Sequence, residues 1–170
     1  LEALRNTLKN YISSTDKSLS KAEQTYFYRS LKTFHRVPIL YSLPKVHKNP
    51  VSLRPVVSST NSLLSVFSTW LDYKTKELLP LISSYTRNST DVINDLKSLT
   101  IPKGATIFSA DVKSMYTNID TDLGIYTFKE FLQHNQDKIP KDFPTNLFLR
   151  ILELVMQNNV FTFADTFWLQ

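Results

Sequence analysis

The stretch ILYSLPKVHKNPVSLRPVVS, residues 39–58, decides how this chain is read. ILYSL and LRPVVS each have the length and apolar content of a short strand. Four prolines (Pro38, Pro44, Pro50 and Pro55) punctuate this region, so its segments must be short and extended. The two strands read as a hairpin whose connection carries Lys45, His47 and Lys48. Lys45 and Arg54 stand nine residues apart across that Pro-bounded turn and could converge on one anion. Arg offers phosphate a planar fork and Lys a point charge. Taken alone, the same residues read equally as a basic surface hairpin.

The flanks of the hairpin read as helices. Residues 1–12 look helical, Ser13 to Ser20 is a polar linker, and a second helix is expected from Lys21 to Phe34. Asn61 or Ser62 can cap a helix reaching Leu79, with Leu63, Val66, Phe67, Trp70 and Leu71 on one stripe. Asn88-Ser89-Thr90-Asp91 caps a short helix carrying Val92, Ile93 and Leu96. ATIFSADV, residues 105–112, reads as a buried strand ending in an acid. Asp120 or Thr121 opens a helix through Phe131, and Pro144 opens another with Leu147, Ile151, Leu154 and Val155 inward. Val160–Phe163 and Phe167–Leu169 read as a hairpin around Ala164-Asp165. The expected fold class is therefore α+β, helix-rich with short antiparallel strands.

Composition narrows the chemistry. In 170 residues there are two glycines, where average usage would give about 12. Gly104 and Gly124 stand far apart, so no Gly-rich phosphate loop can form. Zero Cys removes disulfide scaffolds, thiol catalysis and Cys-ligated zinc, and fits a reducing compartment. His35, His47 and His134 have no zinc-ligand spacing. The 42% hydrophobic content argues against disorder. No apolar run approaches a membrane span, and LEALRNTLKNY does not read as a signal peptide.

The net charge of +5 is unevenly placed. Residues 1–60 hold ten Lys/Arg against three Asp/Glu, and residues 61–170 hold ten against twelve. No acid lies between Glu23 and Asp72. That window carries Arg29, Lys32, Arg36, Lys45, Lys48 and Arg54, interleaved with Tyr26, Phe27, Tyr28, Phe34 and Tyr41. Lys and Arg displace counterions from a phosphate backbone, and aromatic rings stack on bases. A solvated basic face on an ordinary domain is the plainer alternative.

Two further residues stand out in Ile107-Phe108-Ser109-Ala110-Asp111-Val112-Lys113-Ser114-Met115-Tyr116. A strand that delivers Asp111 at its end places an acid at a sheet rim. Hard cations such as Mg²⁺ take carboxylate and carbonyl oxygens. The same acid could simply cap the loop after the strand. Tyr116 could be core or could wall a substrate pocket.

In this order, YSLPKVHKNPVSLRPVVSS, NSTDVI, IFSADVKSMYTNID and LELVMQNNVFTF…FWLQ resemble a known family. Residues 38–170 are similar to the fingers and first palm part of a reverse transcriptase, most of all the Penelope-like retroelements, relatives of telomerase. The resemblance implies a partial right-hand polymerase: a helical extension at 1–37, a fingers-like region at 38–104 and the start of a palm at 105–170. It implies that Asp111 is the first catalytic acid, holding two Mg²⁺ ions together with the Val112 carbonyl. Lys45 and Arg54 would hold the triphosphate of the incoming nucleotide, and Tyr116 would exclude a ribose 2′-hydroxyl. Gln170 would begin the next motif, against template and nascent base pair. The basic window, with Arg29, Lys32, Arg36 and Lys48, would follow the nucleic acid. The implied partners are an RNA template with a DNA primer and deoxynucleoside triphosphates, with no membrane. The implied location is intracellular and nuclear.

One departure matters. The family supplies two more acids from a Tyr-x-Asp-Asp turn, and no Asp-Asp pair occurs in this chain. Asp120 and Asp122 read better as acids at a helix N-terminus. A fragment of a larger polymerase, inactive alone, is therefore expected. The alternatives are a polymerase-derived module that holds RNA or DNA without chemistry, and a protein-interaction domain with an incidental basic face. A truncated palm also leaves a sheet edge unpaired, which invites a homodimer.

Overall fold

A computed structural model describes residues 2–14, 19–33, 35–106 and 108–169. It is an α+β fold. The helices are α1 (Glu2–Ser14), α2 (Lys21–Lys32), α3 (Leu63–Leu78), α4 (Ser89–Ser98), α5 (Met115–Asn118), α6 (Thr121–His134) and α7 (Thr145–Gln157). One mixed sheet holds β1 (Ile39–Lys45), β2 (Ser52–Ser58), β3 (Val160–Phe163) and β4 (Thr166–Leu169) in the order β2-β1-β3-β4.

The helix starts follow their caps. At α2 the Ser20 hydroxyl accepts the Glu23 N–H, and the Glu23 carboxylate accepts the Ser20 N–H, a reciprocal capping box. Ser62, not Asn61, caps α3, while Asn61 makes the left-handed turn before it at φ 59°. Asn88 caps α4 and Asp120 caps α6 through their side-chain oxygens. The end of α2 falls at Lys32, because Thr33 already adopts an extended backbone. Phe34 lies outside the described residues.

The core is a helical layer. Leu8 and Ile12 of α1, Phe27 and Leu31 of α2, Phe67 and Trp70 of α3, and Leu147, Phe148 and Ile151 of α7 are all buried. Helix α7 packs against α1, α3 and α6. A run of rings crosses this layer: Phe27 stacks on Phe67 at 5.0 Å, Trp70 sits 6.1 Å from Phe148, and Phe148 stacks on Phe128 at 5.2 Å. Burying one such side chain contributes about 1.5–3 kcal/mol. One core thus draws on residues before 38, between 38 and 104, and after 105.

The sheet lies beside this core and is largely exposed. In the β1–β2 hairpin Lys45 faces Ser52, Leu43 faces Arg54 and Tyr41 faces Val56. Strand β3 joins β1 by a short parallel contact at Ile39 and Thr162, where the Thr162 N–H donates to Pro38 O at 2.8 Å. Ala164 and Asp165 both take positive φ in the β3–β4 turn, the geometry that matches the twist of a tight hairpin. Strand β4 is an outer strand of the sheet, and each of its residues is exposed.

Residues 105–112 correct the expectation of a buried strand. The described residues of this segment form no strand, and Phe108 is 85% and Val112 65% exposed. A strand needs a neighbour for its N–H and C=O groups. The sheet order places none beside this segment, so its apolar run gains neither a ladder nor a facing layer. Helix α4 likewise buries none of its residues, and Val92, Ile93 and Leu96 face outward.

Candidate nucleotide and nucleic-acid site

The hairpin register does for Lys45 and Arg54 what spacing alone could not. Directly opposed residues of antiparallel strands project to the same face, and so do residues two apart along a strand. The pairs Lys45–Ser52 and Leu43–Arg54 therefore put Lys45 and Arg54 on one face, a single diagonal step apart. Such diagonal neighbours lie about 7–8 Å apart, within reach of long side chains. Tyr41 and Leu43 share this face and are exposed. Among the described residues neither Lys45 nor Arg54 has an ion-pair partner. Two uncompensated cations on one face can take an anion, with apolar surface alongside.

The rest of the basic window divides. Lys48 lies in the hairpin turn, where its N–H donates to Lys45 O at 3.1 Å. Arg29 and Lys32 sit in the last turn of α2, where cations also complement the helix dipole. The Arg36 N–H donates to Asn61 O at 3.1 Å, and Arg36 lines a cavity. The aromatics are not all free to stack. Phe27 is core, and the Tyr26 hydroxyl donates to Val66 O at 3.2 Å. Tyr41 stays exposed.

The acid is in a different situation. Asp111 lies in exposed coil and takes part in no ion pair among the described residues. Tyr116 follows in α5 and is 84% exposed. No structural contact joins this pair to Lys45 or Arg54 through a hydrogen bond or ion pair among the described residues. Among those residues no group of three or more His, Asp or Glu could hold a metal ion. A two-metal centre takes several oxygen ligands. Asp111 and the Val112 carbonyl do not compose one by themselves. Asp120 is instead the α6 cap, donated to by the Leu123 N–H at 2.8 Å, and Asp122 accepts from Gln157 at 3.3 Å. The expected role of Gln170 lies outside the described residues.

Sequence reading missed a cavity of about 970 Å³ between α1, α3, the end of α7 and the sheet. Its walls come from segments distant in sequence, so no local motif could announce it. It also missed the polar link between α2 and α3. There Glu23 accepts from Trp70, and Lys74 lies 3.3 Å from the same carboxylate oxygen. No helix is long and apolar enough to cross a membrane among the described residues. No protein-family model, curated protein or solved structure matches this chain.

Proposed function

We propose that this chain is the fingers and first palm part of an RNA-directed DNA polymerase of a retroelement. The observation that carries the reading is the face shared by Lys45 and Arg54. On this reading their charges hold the β and γ phosphates of a deoxynucleoside triphosphate, where positioning and charge neutralisation supply most of the rate of phosphoryl transfer. Asp111 is the first catalytic acid and Tyr116 the wall beside the sugar. Lys48 and the basic residues of α2 meet the backbone of an RNA template paired with a DNA primer. The order of the four motifs in the sequence supports the assignment.

Titration of the chain with dATP tests the hairpin. Lys45→Ala and Arg54→Ala should each weaken binding about tenfold, the effect of losing one hydrogen bond to a charged group. Arg54→Ala should spare primer–template binding. Unchanged dATP affinity in both variants would overturn the assignment. The chain alone is expected to extend no primed RNA template in magnesium. In a complete polymerase built on this chain, Asp111→Asn should abolish synthesis with folding intact, and Tyr116→Ala should admit ribonucleotides.

The exposed Arg29, Lys32, Lys48 and Arg54, which need no chemistry to hold a phosphate backbone, favour one second reading: a module that holds RNA or DNA. Primer–template binding that falls steeply with salt, with no dATP binding, would select it.

A further inference from the structure

We propose that the cavity between α1, α3, α7 and the sheet binds a small aromatic anion carrying N–H donors. The proposal does not use the nucleotide site, and it gives Arg36, which the resemblance places along the nucleic acid, a small ligand instead. Neither Lys45, Arg54, Asp111 nor Tyr116 lines this cavity.

Three properties of the walls define the ligand. First, the volume of about 970 Å³ lies within the range of small-molecule sites, roughly 300–1,000 Å³. Second, among the described residues Arg36 is the one charged residue that lines it, no carboxylate answers it there, and it has no ion pair. A guanidinium so placed takes a carboxylate or a phosphate, bidentately. Third, the Ser65 and Ser68 hydroxyls on the α3 wall, and one N–H of Asn158 just past α7, are donated to the backbone. The Ser65 hydroxyl donates to Ser62 O at 2.7 Å and the Ser68 hydroxyl to Leu64 O at 3.0 Å. Asn158 donates to Leu154 O at 2.8 Å. A hydroxyl whose proton is committed offers only lone pairs. A ligand that bonds the Ser65 and Ser68 hydroxyls therefore brings N–H groups to α3, and its anion meets Arg36. Val57, Leu64, Val160 and Phe167 complete the walls, and they favour an apolar or aromatic body. Inorganic phosphate supplies the charge and neither of the other two properties.

Two probes carry this chemistry on different anions: N-acetyltryptophan on a carboxylate and adenosine monophosphate on a phosphate. Each is titrated into the full chain by calorimetry and amide NMR. At least one should bind saturably, and Arg36→Gln should weaken that binding about tenfold or more. Ser68→Trp, which adds bulk at an exposed cavity position, should weaken it as well, and it keeps the test decisive if Arg36→Gln loses structure. The tighter probe identifies the preferred anion. Lys45→Ala/Arg54→Ala should leave N-acetyltryptophan binding unchanged. That combination fails separately from the dATP test, because the two sites share no lining residue. No saturable binding of either probe, or binding that Arg36→Gln and Ser68→Trp leave intact, would overturn the proposal.

Discussion

The Trp70 indole N–H donates to Glu23 Oε1 at 2.9 Å and so ties α3 to the first turn of α2. The other carboxylate oxygen accepts both the N–H and the hydroxyl of Ser20, at 2.9 and 2.7 Å. Lys74 approaches Oε1 at 3.3 Å and bridges onward to Glu77 at 3.1 Å. One acid thus serves as helix cap and as interhelical link.

Trp70→Phe keeps the ring in the core and removes the donor. It should lower the unfolding free energy by about 1.5–3 kcal/mol, as expected for a lost hydrogen bond to a charged group. Burial pushes the Glu23 carboxyl upward, but Ser20, Trp70 and Lys74 outweigh it and hold the group below its ordinary value of 4.5. A depressed carboxylate contributes fully above that value, and the contribution is lost as pH falls through the folded one. Denaturant melts below pH 4.5 should show this loss, and Glu23→Gln should flatten it.

His35 is buried, and its position sets a second pH dependence. Its Nδ1 lies 3.3 Å from the Arg5 guanidinium and its Nε2 3.3 Å from the Thr33 hydroxyl. The Thr33 proton already goes to Ser30 O at 2.7 Å, so the consistent arrangement has Nε2–H donating and Nδ1 accepting. Burial first, and Arg5 second, hold the ring below its ordinary value of 6.5. The unfolded chain therefore binds a proton first as pH falls, and stability declines below 6.5. Proton NMR should find His35 titrating below that value, and His35→Gln should reduce the slope.

Gly124 lies inside α6, where a glycine costs roughly 0.5–1 kcal/mol relative to alanine. A Cβ there would meet only Ile119 Cγ2, at an ordinary 3.7 Å. Gly124→Ala should raise the unfolding free energy by about that amount. A loss of stability would show that the α5–α6 junction is more crowded than this geometry.

Chymotrypsin should cut first at Phe108 and Tyr116, which are 85% and 84% exposed. Segments with few buried contacts open at little free-energy cost, so their cleavage needs no global unfolding. Mass mapping of the earliest fragments checks the order. First cuts at Phe67 or Phe148, both in the core, would contradict it.

The sequence by itself determined what local physics determines. Asn88 and Asp120 cap their helices through side chains that are their own neighbours in the chain. The α7 stripe of Leu147, Ile151, Leu154 and Val155 is buried as its period requires, and Val66 of α3 is only half-buried. The prolines and β-branched residues of 38–58 gave a hairpin because pairing there is between near neighbours.

Tertiary structure alone decided the rest. Residues 105–112 have a strand's composition but no adjacent strand, and composition cannot say who the neighbour is. The Glu23–Trp70 link spans 47 positions, and the cavity walls run from α1 to β4. Lys45 and Arg54 show the division most clearly. Their residue types suggested either an anion-binding pair or a basic surface hairpin, and a one-residue slip of register would have put them on opposite faces. The pairing geometry of the hairpin put the two cations on one face.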